Sequence, residues 1–561
     1  MMRYLQLLHM HSFTPKKRKY KWRRDKQNVQ PQETLRKGHH HLNQLWILNL
    51  PTMANSSTSP ATQMPIPPQI GHLQLHFVLI PLMSPGHLLP MVDMAKLLAQ
   101  HGVTVTILTT PVNTVRFKST IDRAVDSGLQ IRLLQLLFPA AEAGLPEGCE
   151  NMDSLPSRAT IKNFFDACKM LQQPFEELFA KLQPPPSCII SGKNLAWTVE
   201  TARKFGVPRI FFDGMSCFSF SCTHNLEISN AHGAAASKFE PFLVPNLPHQ
   251  IQLTRAQLPE SLNPGSPDLT EVRDKMRAAE SVADGILVNT FEELEAEYVK
   301  MYRKIKGGKV WCIGPVTSCN KLSLDKAERG EKASKYAQNQ IRDWLDSFEP
   351  NSVVYTCLGS ICGLTAPQLI ELGLGLEASN HPFIWAMRSS GGEKSQELEK
   401  WMIEEGFEER SKGRGLVIRG WAPQLLILSH KATGAFLTHC GWNSTVEGVS
   451  AGVPIIACPL FAEQFINERL VVDVLGIGVS VGVEAAVTWG MEEKFKGVVM
   501  KRMDVKWAVE KAMEKGEEGK VRRERAKEIG EMARRAVEEG GSSYLNMEML
   551  IQYVFQQTIG K

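Results

Sequence analysis

The sequence predicts an α/β protein made of two doubly wound parallel sheets. Three observations lead there. The chain has 561 residues, more than a single hydrophobic core usually organises. Short apolar runs of strand length alternate with helical repeats along most of it, as in successive strand–helix–strand units. This alternation is interrupted near residues 317–337 by a charged, polar stretch with few large apolar groups. The domain reading is a basic extension over 1–72, expected to be disordered, then a first domain over 73–316 and a linker over 317–337. A second domain follows over 338–540, and a helical segment over 541–561 ends the chain.

Taken in order, residues 76–82 form an apolar run, and Met83-Ser84-Pro85-Gly86-His87 reads as a turn. Residues 88–100 carry Leu88, Met91, Val92, Ala95 and Leu98 at helical spacing and stop at His101-Gly102. Residues 103–110 are a second strand. His87 therefore sits just past the carboxyl end of a strand, where open α/β sheets bind ligands. An imidazole there is suited to taking a proton near neutral pH, although a lone His after a Gly is more often a surface turn residue. Residues 188–191 and 209–212 are further strands, the latter followed by Asp213, and 285–289 and 310–313 are late ones. The second domain opens with a strand over 352–360 that ends in Gly359-Ser360. Residues 364–369 start the next helix, with Pro367 near its first turn.

The most informative stretch, residues 421–464, reads WAPQLLILSHKATGAFLTHCGWNSTVEGVSAGVPIIACPLFAEQ. Residues 435–438 are a short buried strand, and Cys440-Gly441-Trp442-Asn443 is a turn. Ser444 to Glu447 has S-x-x-E spacing, read as a capping box that opens a helix. A helix N-terminus presents unpaired N–H groups and a partial positive charge, a ready site for a diphosphate. His439, Asn443 and Ser444 surround that point with hydrogen-bond donors. In isolation, S-x-x-E would be a cap only, Trp421 a core or lid residue, and Glu463-Gln464 a solvated helix start.

Across all 44 positions, residues 421–464 resemble the signature box of plant secondary-product glycosyltransferases. These are family 1 UDP-glycosyltransferases: inverting enzymes of the GT-B fold, with two Rossmann-like doubly wound domains facing across a cleft. The resemblance implies that His439, Asn443, Ser444 and Ser360 contact the UDP diphosphate. It implies that Trp421 stacks on uracil while the Ala422 backbone bonds the base edge, and that Glu447 and Gln424 hold the ribose. Glu463, Gln464 and Trp442 then fall on the hexose, and a terminal Gln resembles the glucose-preferring form of the box. His87 closes a P-x-x-x-x-G-H element that begins at Pro81 and falls on the family's catalytic base. The implied activity is transfer of glucose from UDP-glucose, with no metal and no other cofactor. The implied acceptor is a small hydroxylated metabolite (flavonoid, phenolic or terpenoid, through a hydroxyl or carboxyl) held by the first domain near Met83, Met215 and Phe218. The last helix would cross back to the first domain.

One family position departs from the pattern. The Asp that orients the catalytic His, at the end of a strand in an I-I-S-D context, corresponds here to Gly192 in Ile189-Ile190-Ser191-Gly192. Three readings follow. Asp213, at the end of the next strand, substitutes for it. Alternatively, the acceptor is acidic enough to need little base. Or the enzyme is weak or retired, in which case the chain is a UDP-sugar-binding protein of little activity.

Charge and cysteines bound the remaining classes. The net charge of +5 is an N-terminal matter: residues 1–52 carry 11 Lys/Arg and 2 Asp/Glu, and the remainder is negative by 4. Such a cluster can mark nuclear import or attraction to anionic surfaces, but it lies before Met53, which resembles an ordinary start, so residues 1–52 read as an upstream extension. The 11 cysteines include no C-x-x-C spacing, which fits a reducing cytoplasm. No apolar run approaches the length of a membrane span. A monomer with no nucleic-acid partner and no stable membrane insertion is expected. The glycine-rich 476–482 lacks G-x-G-x-x-G spacing, and the charged run 514–535 reads as a solvated helix face.

Overall fold

The central strands of both sheets are largely apolar and buried, because parallel strands are covered on both faces, while the edge strands Ile131–Gln135 and Gly415–Arg419 are more exposed. In the computed structural model, residues 74–263, 269–330, 335–361, 363–387, 393–487, 490 and 499–560 are described. The expected extension over 1–72 lies outside them. The strands are β1 (His76–Ile80), β2 (Thr104–Thr109), β3 (Ile131–Gln135), β4 (Cys188–Ser191), β5 (Arg209–Asp213), β6 (Phe242–Leu243), β7 (Gln252–Leu253), β8 (Gly285–Val288), β9 (Val310–Cys312), β10 (Val353–Cys357), β11 (Phe383–Met387), β12 (Gly415–Arg419), β13 (Thr433–Thr438), β14 (Ile455–Ala457) and β15 (Gly478–Ser480). The first sheet has the order β3-β2-β1-β4-β5-β8-β9, the second β12-β11-β10-β13-β14-β15, and β6 pairs with β7 as a small antiparallel ribbon. Both large sheets are parallel throughout. The fold is therefore the two-domain, doubly wound α/β architecture that the sequence predicts.

In each sheet the strand order reverses beside the first strand of the unit, at β1/β4 and at β10/β13. A crevice opens at such a switch point, above the carboxyl ends of the strands. Phe77, Val78 and Leu79 of β1 and Ala435, Phe436 and Leu437 of β13 are wholly buried, and each large side chain so buried contributes about 1.5–3 kcal/mol. These cores hold the two strand ends in place. The last helix, Ser542–Ile559, puts Met547, Leu550 and Val554 into the core of the first sheet. Second-domain elements end before it, so the chain does return to the first domain.

Two helix starts differ from expectation. The first helix spans Pro85–Gln100, with Ser84 as N-cap, so Gly86 and His87 lie in its first turn rather than before it. Pro85 supplies the fixed φ that suits a first helical position. The helix after β13 spans Trp442–Ser450 with Gly441 as N-cap and no side-chain cap. Ser444 and Glu447 are thus already helical, and the S-x-x-E spacing is not a capping box. By contrast, Thr365 and Gln368 do form one at the start of Ala366–Ala378, with a proline in its first turn.

Candidate functional site

A cavity of about 700 Å³ lies between the carboxyl ends of the two sheets, within the size range of small-molecule sites. Every residue expected at the donor or the base except Asp213 lines it: His87 on the first domain, and Ser360, Trp421, Ala422, Gln424, His439, Trp442, Asn443, Ser444, Glu447, Glu463 and Gln464 on the second. Of the positions expected near the acceptor, Met215 lines the cavity, whereas Met83 and Phe218 are buried in the hydrophobic cores instead. Asp213 closes β5, but its side chain lies outside the described residues. Gly214, the next residue, lines the cavity, and a Cβ there would come 3.7 Å from the Gly86 carbonyl. The segment leaving β5 therefore runs alongside the turn that carries His87.

The phosphate end is built by turns. After β10 the chain passes Gly359 at φ +87, and after β13 it passes Cys440 at φ +61 and Gly441. A Cβ on Gly359 would meet the His439 ring at 2.6 Å, and one on Gly441 would meet its Nε2 at 2.4 Å. Two glycines thus let the backbone close around this imidazole. Burial pushes the His439 pKa down to about 4, so the ring is a neutral hydrogen-bonding group near pH 7. The strained Cys440 turn is held by Asn467, whose Nδ2 donates to the Cys440 carbonyl at 2.9 Å. The open N-terminus of Trp442–Ser450 faces the same point. Asn443 Nδ2 donates to the Gly86 carbonyl at 2.7 Å, a direct tie between the two walls.

The opposite end carries an aromatic and a carboxylate. Trp421 Nε1 donates to the Arg329 carbonyl at 2.9 Å, and Gly330, at φ +95, packs so close that a Cβ would stand 2.3 Å from the indole. Glu447 is buried and bound on both oxygens: Gln424 Nε2 reaches Oε2 at 2.7 Å, and Arg329 Nη1 reaches Oε1 at 2.7 Å. Gln424 Oε1 in turn accepts from the Tyr355 hydroxyl at 3.3 Å. Between these ends, Gln464 Oε1 accepts the Leu460 and Phe461 N–H groups at 2.8 and 3.0 Å, which leaves its Nε2 as the group available to a ligand. Ala462, at φ +53, sharpens the turn before Glu463. Trp442 is buried, and its Nε1 donates to the Asn289 carbonyl at 2.8 Å, so the indole N–H is engaged across the domain boundary.

Residues that the sequence reading did not single out also line the cavity: Arg116, Asp153, Lys193, Asn194, Lys326 and Arg329. Arg116 and Asp153 form a bidentate pair at 2.8 and 2.9 Å. One signal for the Arg329 cluster was present in the sequence. Asp93 and Lys96 are opposite charges three apart in an otherwise apolar helix, a spacing that demands buried partners. At the end of β4, Arg209 Nη2 donates to the Gly192 carbonyl at 3.1 Å. A Cβ on Gly192 would lie 3.8 Å from both Asn194 Oδ1 and the Phe212 carbonyl, so space for a side chain exists there.

Known proteins share this fold. The model for the N-terminal domain of glycosyltransferases matches residues 74–318, and that for UDP-glucuronosyl and UDP-glucosyl transferases matches residues 327–509. UDP-glycosyltransferase 73C3 of Arabidopsis thaliana is 52% identical over 489 residues, 86% of this chain and 97% of that protein. The crystal structure of UGT73P12 of Glycyrrhiza uralensis, complexed with glycyrrhetinic acid 3-O-monoglucuronide, has a TM-score of 0.81 at 36% identity. It covers 87% of this chain and 97% of that one. UGT89C1 of Arabidopsis thaliana complexed with UDP-L-rhamnose has a TM-score of 0.64 at 29% identity, covering 86% and 99%. With this fold, this cleft and these relatives, the chain belongs to the plant family 1 UDP-glycosyltransferases and is a glycosyltransferase of the GT-B fold.

Proposed function

We propose that the chain transfers glucose from UDP-glucose to a hydroxyl or carboxyl of a small plant metabolite, such as a flavonoid, phenolic or terpenoid, with inversion. One observation carries this reading: the Asn443–Gly86 hydrogen bond brings the first turn that holds His87 against the helix N-terminus suited to a diphosphate. In the proposed complex Trp421 stacks on uracil, Ala422 bonds its edge, and Gln424 and Glu447 hold the ribose. Ser360, His439, Asn443 and Ser444 take the diphosphate, while Trp442, Glu463 and Gln464 bound the hexose.

His87 removes the acceptor proton, and the acceptor oxygen forms a bond to the anomeric carbon as the bond to the UDP oxygen breaks on the opposite face. Preorganised donors at the leaving diphosphate supply the larger share of the rate. Asp213 is the proposed partner that orients His87, since its strand end abuts the 86–87 turn. In this scheme the helix N-terminus and neutral donors meet the leaving charge, so no metal and no further cofactor take part. We place the enzyme in the cytoplasm as a monomer, with no nucleic-acid partner and no membrane insertion. The described cysteines are free thiols, and no helix among the described residues is long and apolar enough to cross a membrane. The test is UDP release from UDP-glucose, UDP-galactose and UDP-rhamnose against a panel of phenols, flavonoids and terpenoid alcohols, with EDTA in parallel. The reading predicts acceptor-dependent release that is fastest with UDP-glucose, untouched by EDTA, and yields a β-glucoside. Preference for another sugar, or loss on chelation, would overturn those parts of it.

A further inference from the structure

The stretch read as an interdomain linker buries several of its charges among the described residues. Its helix Ser323–Glu328 is clamped to the first domain: Asp325 pairs with Lys96 at 2.9 Å and Arg123 at 2.8 Å, and Glu328 pairs with Arg123 at 2.5 Å. Arg329 follows. Its Nε pairs with Asp93 Oδ2 at 2.8 Å and its Nη1 with Glu447 Oε1 at 2.7 Å. The Asp93 and Glu447 side chains are each 2% exposed and that of Arg329 10%. The Arg329 carbonyl accepts the Trp421 indole N–H, and Gly330 packs against the same ring. A single linker residue therefore touches the aromatic at one end of the cavity, the carboxylate beside it, and the helix whose first turn holds His87.

We propose that Arg329 is a positioning residue for the sugar-nucleotide donor. Its guanidinium sets the Glu447 carboxylate, its backbone sets the Trp421 indole, and Asp93 references both to the helix of the catalytic base. This rests on the reading of Trp421 and Glu447 as base and ribose contacts. A carboxylate offers about four lone-pair positions on two oxygens. Arg329 and Gln424 each take one, on different oxygens, so the group is fixed in plane while keeping a free position on each oxygen for a pair of vicinal hydroxyls. The bridge needs the guanidinium fork. A lysine ammonium is a point charge and cannot hold two carboxylates through nitrogens set as rigidly as Nε and Nη1. Substitution of Arg329 leaves two buried carboxylates without that partner, and the Trp421–Glu447 end of the donor site loses its link to the Asp93 helix.

The experiment measures UDP binding by calorimetry and steady-state KM for UDP-glucose and for acceptor, on the full chain, for wild type, Arg329→Lys, Arg329→Gln and Asp93→Asn. Folding is monitored by thermal melting. The expected result is a tenfold or greater loss of UDP affinity in Arg329→Lys, a matching rise in KM for UDP-glucose, and an acceptor KM within twofold of wild type. Glu447→Gln should cost less in the Arg329→Gln background than in wild type, because the two residues act as one unit. A purely structural Arg329 would lower the melting temperature and leave UDP affinity within twofold, which overturns the proposal. If the Arg329 variants do not fold, Asp93→Asn carries the test, since it preserves shape and leaves Glu447 paired. A threefold or larger loss of UDP affinity there supports the proposal, and no loss overturns it. Wild type that binds no UDP would instead overturn the donor-site reading itself, an outcome distinct from equal binding by wild type and variant.

Discussion

Gly359→Ala is the sharpest perturbation of the phosphate end. Two costs follow from the geometry. The backbone at Gly359 has φ +87, where an L side chain costs roughly 1–2 kcal/mol. The added Cβ would also stand 2.6 Å from the His439 ring, well inside van der Waals contact, so the imidazole must move by several tenths of an ångström or more. Gly441 approaches the same Nε2 and limits where it can go. If His439 bonds the diphosphate, a charge-assisted hydrogen bond worth about 1.5–3 kcal/mol is weakened or lost. At 1.4 kcal/mol per tenfold, UDP should bind about 10–100-fold more weakly. Gly102→Ala separates the two costs, because Gly102 has φ +81 with nothing within 4 Å of an added Cβ. Calorimetric UDP titration and thermal melts of both variants make the assay. Gly102→Ala should lose only the backbone cost in stability, Gly359→Ala should lose that and the cost of the clash, and only Gly359→Ala should lose UDP affinity. Equal UDP affinity in Gly359→Ala and wild type would refute the placement of His439 at the diphosphate.

Three further predictions use separate parts of the structure. Gln464→Glu keeps the acceptor for the Leu460 and Phe461 N–H groups but removes the amide donor, so KM for UDP-glucose should rise at least fivefold with little change in melting temperature. Gln464→Ala should also lose about 1–3 kcal/mol of stability from the two unsatisfied N–H groups. Asp213→Asn should lower kcat at least tenfold and leave UDP affinity unchanged, while Gly192→Asp, which the backbone accommodates, should recover part of that loss; turnover unchanged across pH in Asp213→Asn would remove Asp213 from the mechanism. Glu295, buried and bonded to the Cys217 and Phe218 N–H groups, has its carboxyl pushed by burial from 4.5 to about 7. The folded state then holds this proton where the unfolded chain releases it, so the contribution is complete below pH 4.5 and is lost as pH rises to 7. It amounts to about 3 kcal/mol at 1.36 kcal/mol per unit. Glu295→Gln should flatten that part of the stability–pH curve, as read by denaturant titration at pH 5 and pH 8.

The alternation of strands and helices was legible because buried parallel strands are apolar throughout and helices repeat at 3.6 residues. That residues of 421–464 would come together in one cavity was legible because one continuous segment supplies most of one wall. Helix starts at Pro85 and Trp442 were misplaced, since the proline and glycine beside them, Pro85 and Gly441, mark turns and N-termini alike. The ion pairs of residues 323–330 were not legible for a different reason. Charged residues with few apolar neighbours read as a linker, and their partners Asp93, Lys96, Arg123 and Glu447 lie more than a hundred positions away in sequence. Close packing of Gly330, Gly359 and Gly441 against Trp421 and His439 was invisible because only the folded backbone shows which side chain fills the space a Cβ would take.

The most direct test of the central claim compares wild type with His87→Ala, following acceptor-dependent UDP release from UDP-glucose alongside UDP binding. General-base catalysis contributes about 10²–10⁴-fold, so the account predicts turnover at least a hundredfold lower in His87→Ala with UDP affinity unchanged. Turnover within tenfold of wild type, at equal UDP affinity, would contradict it.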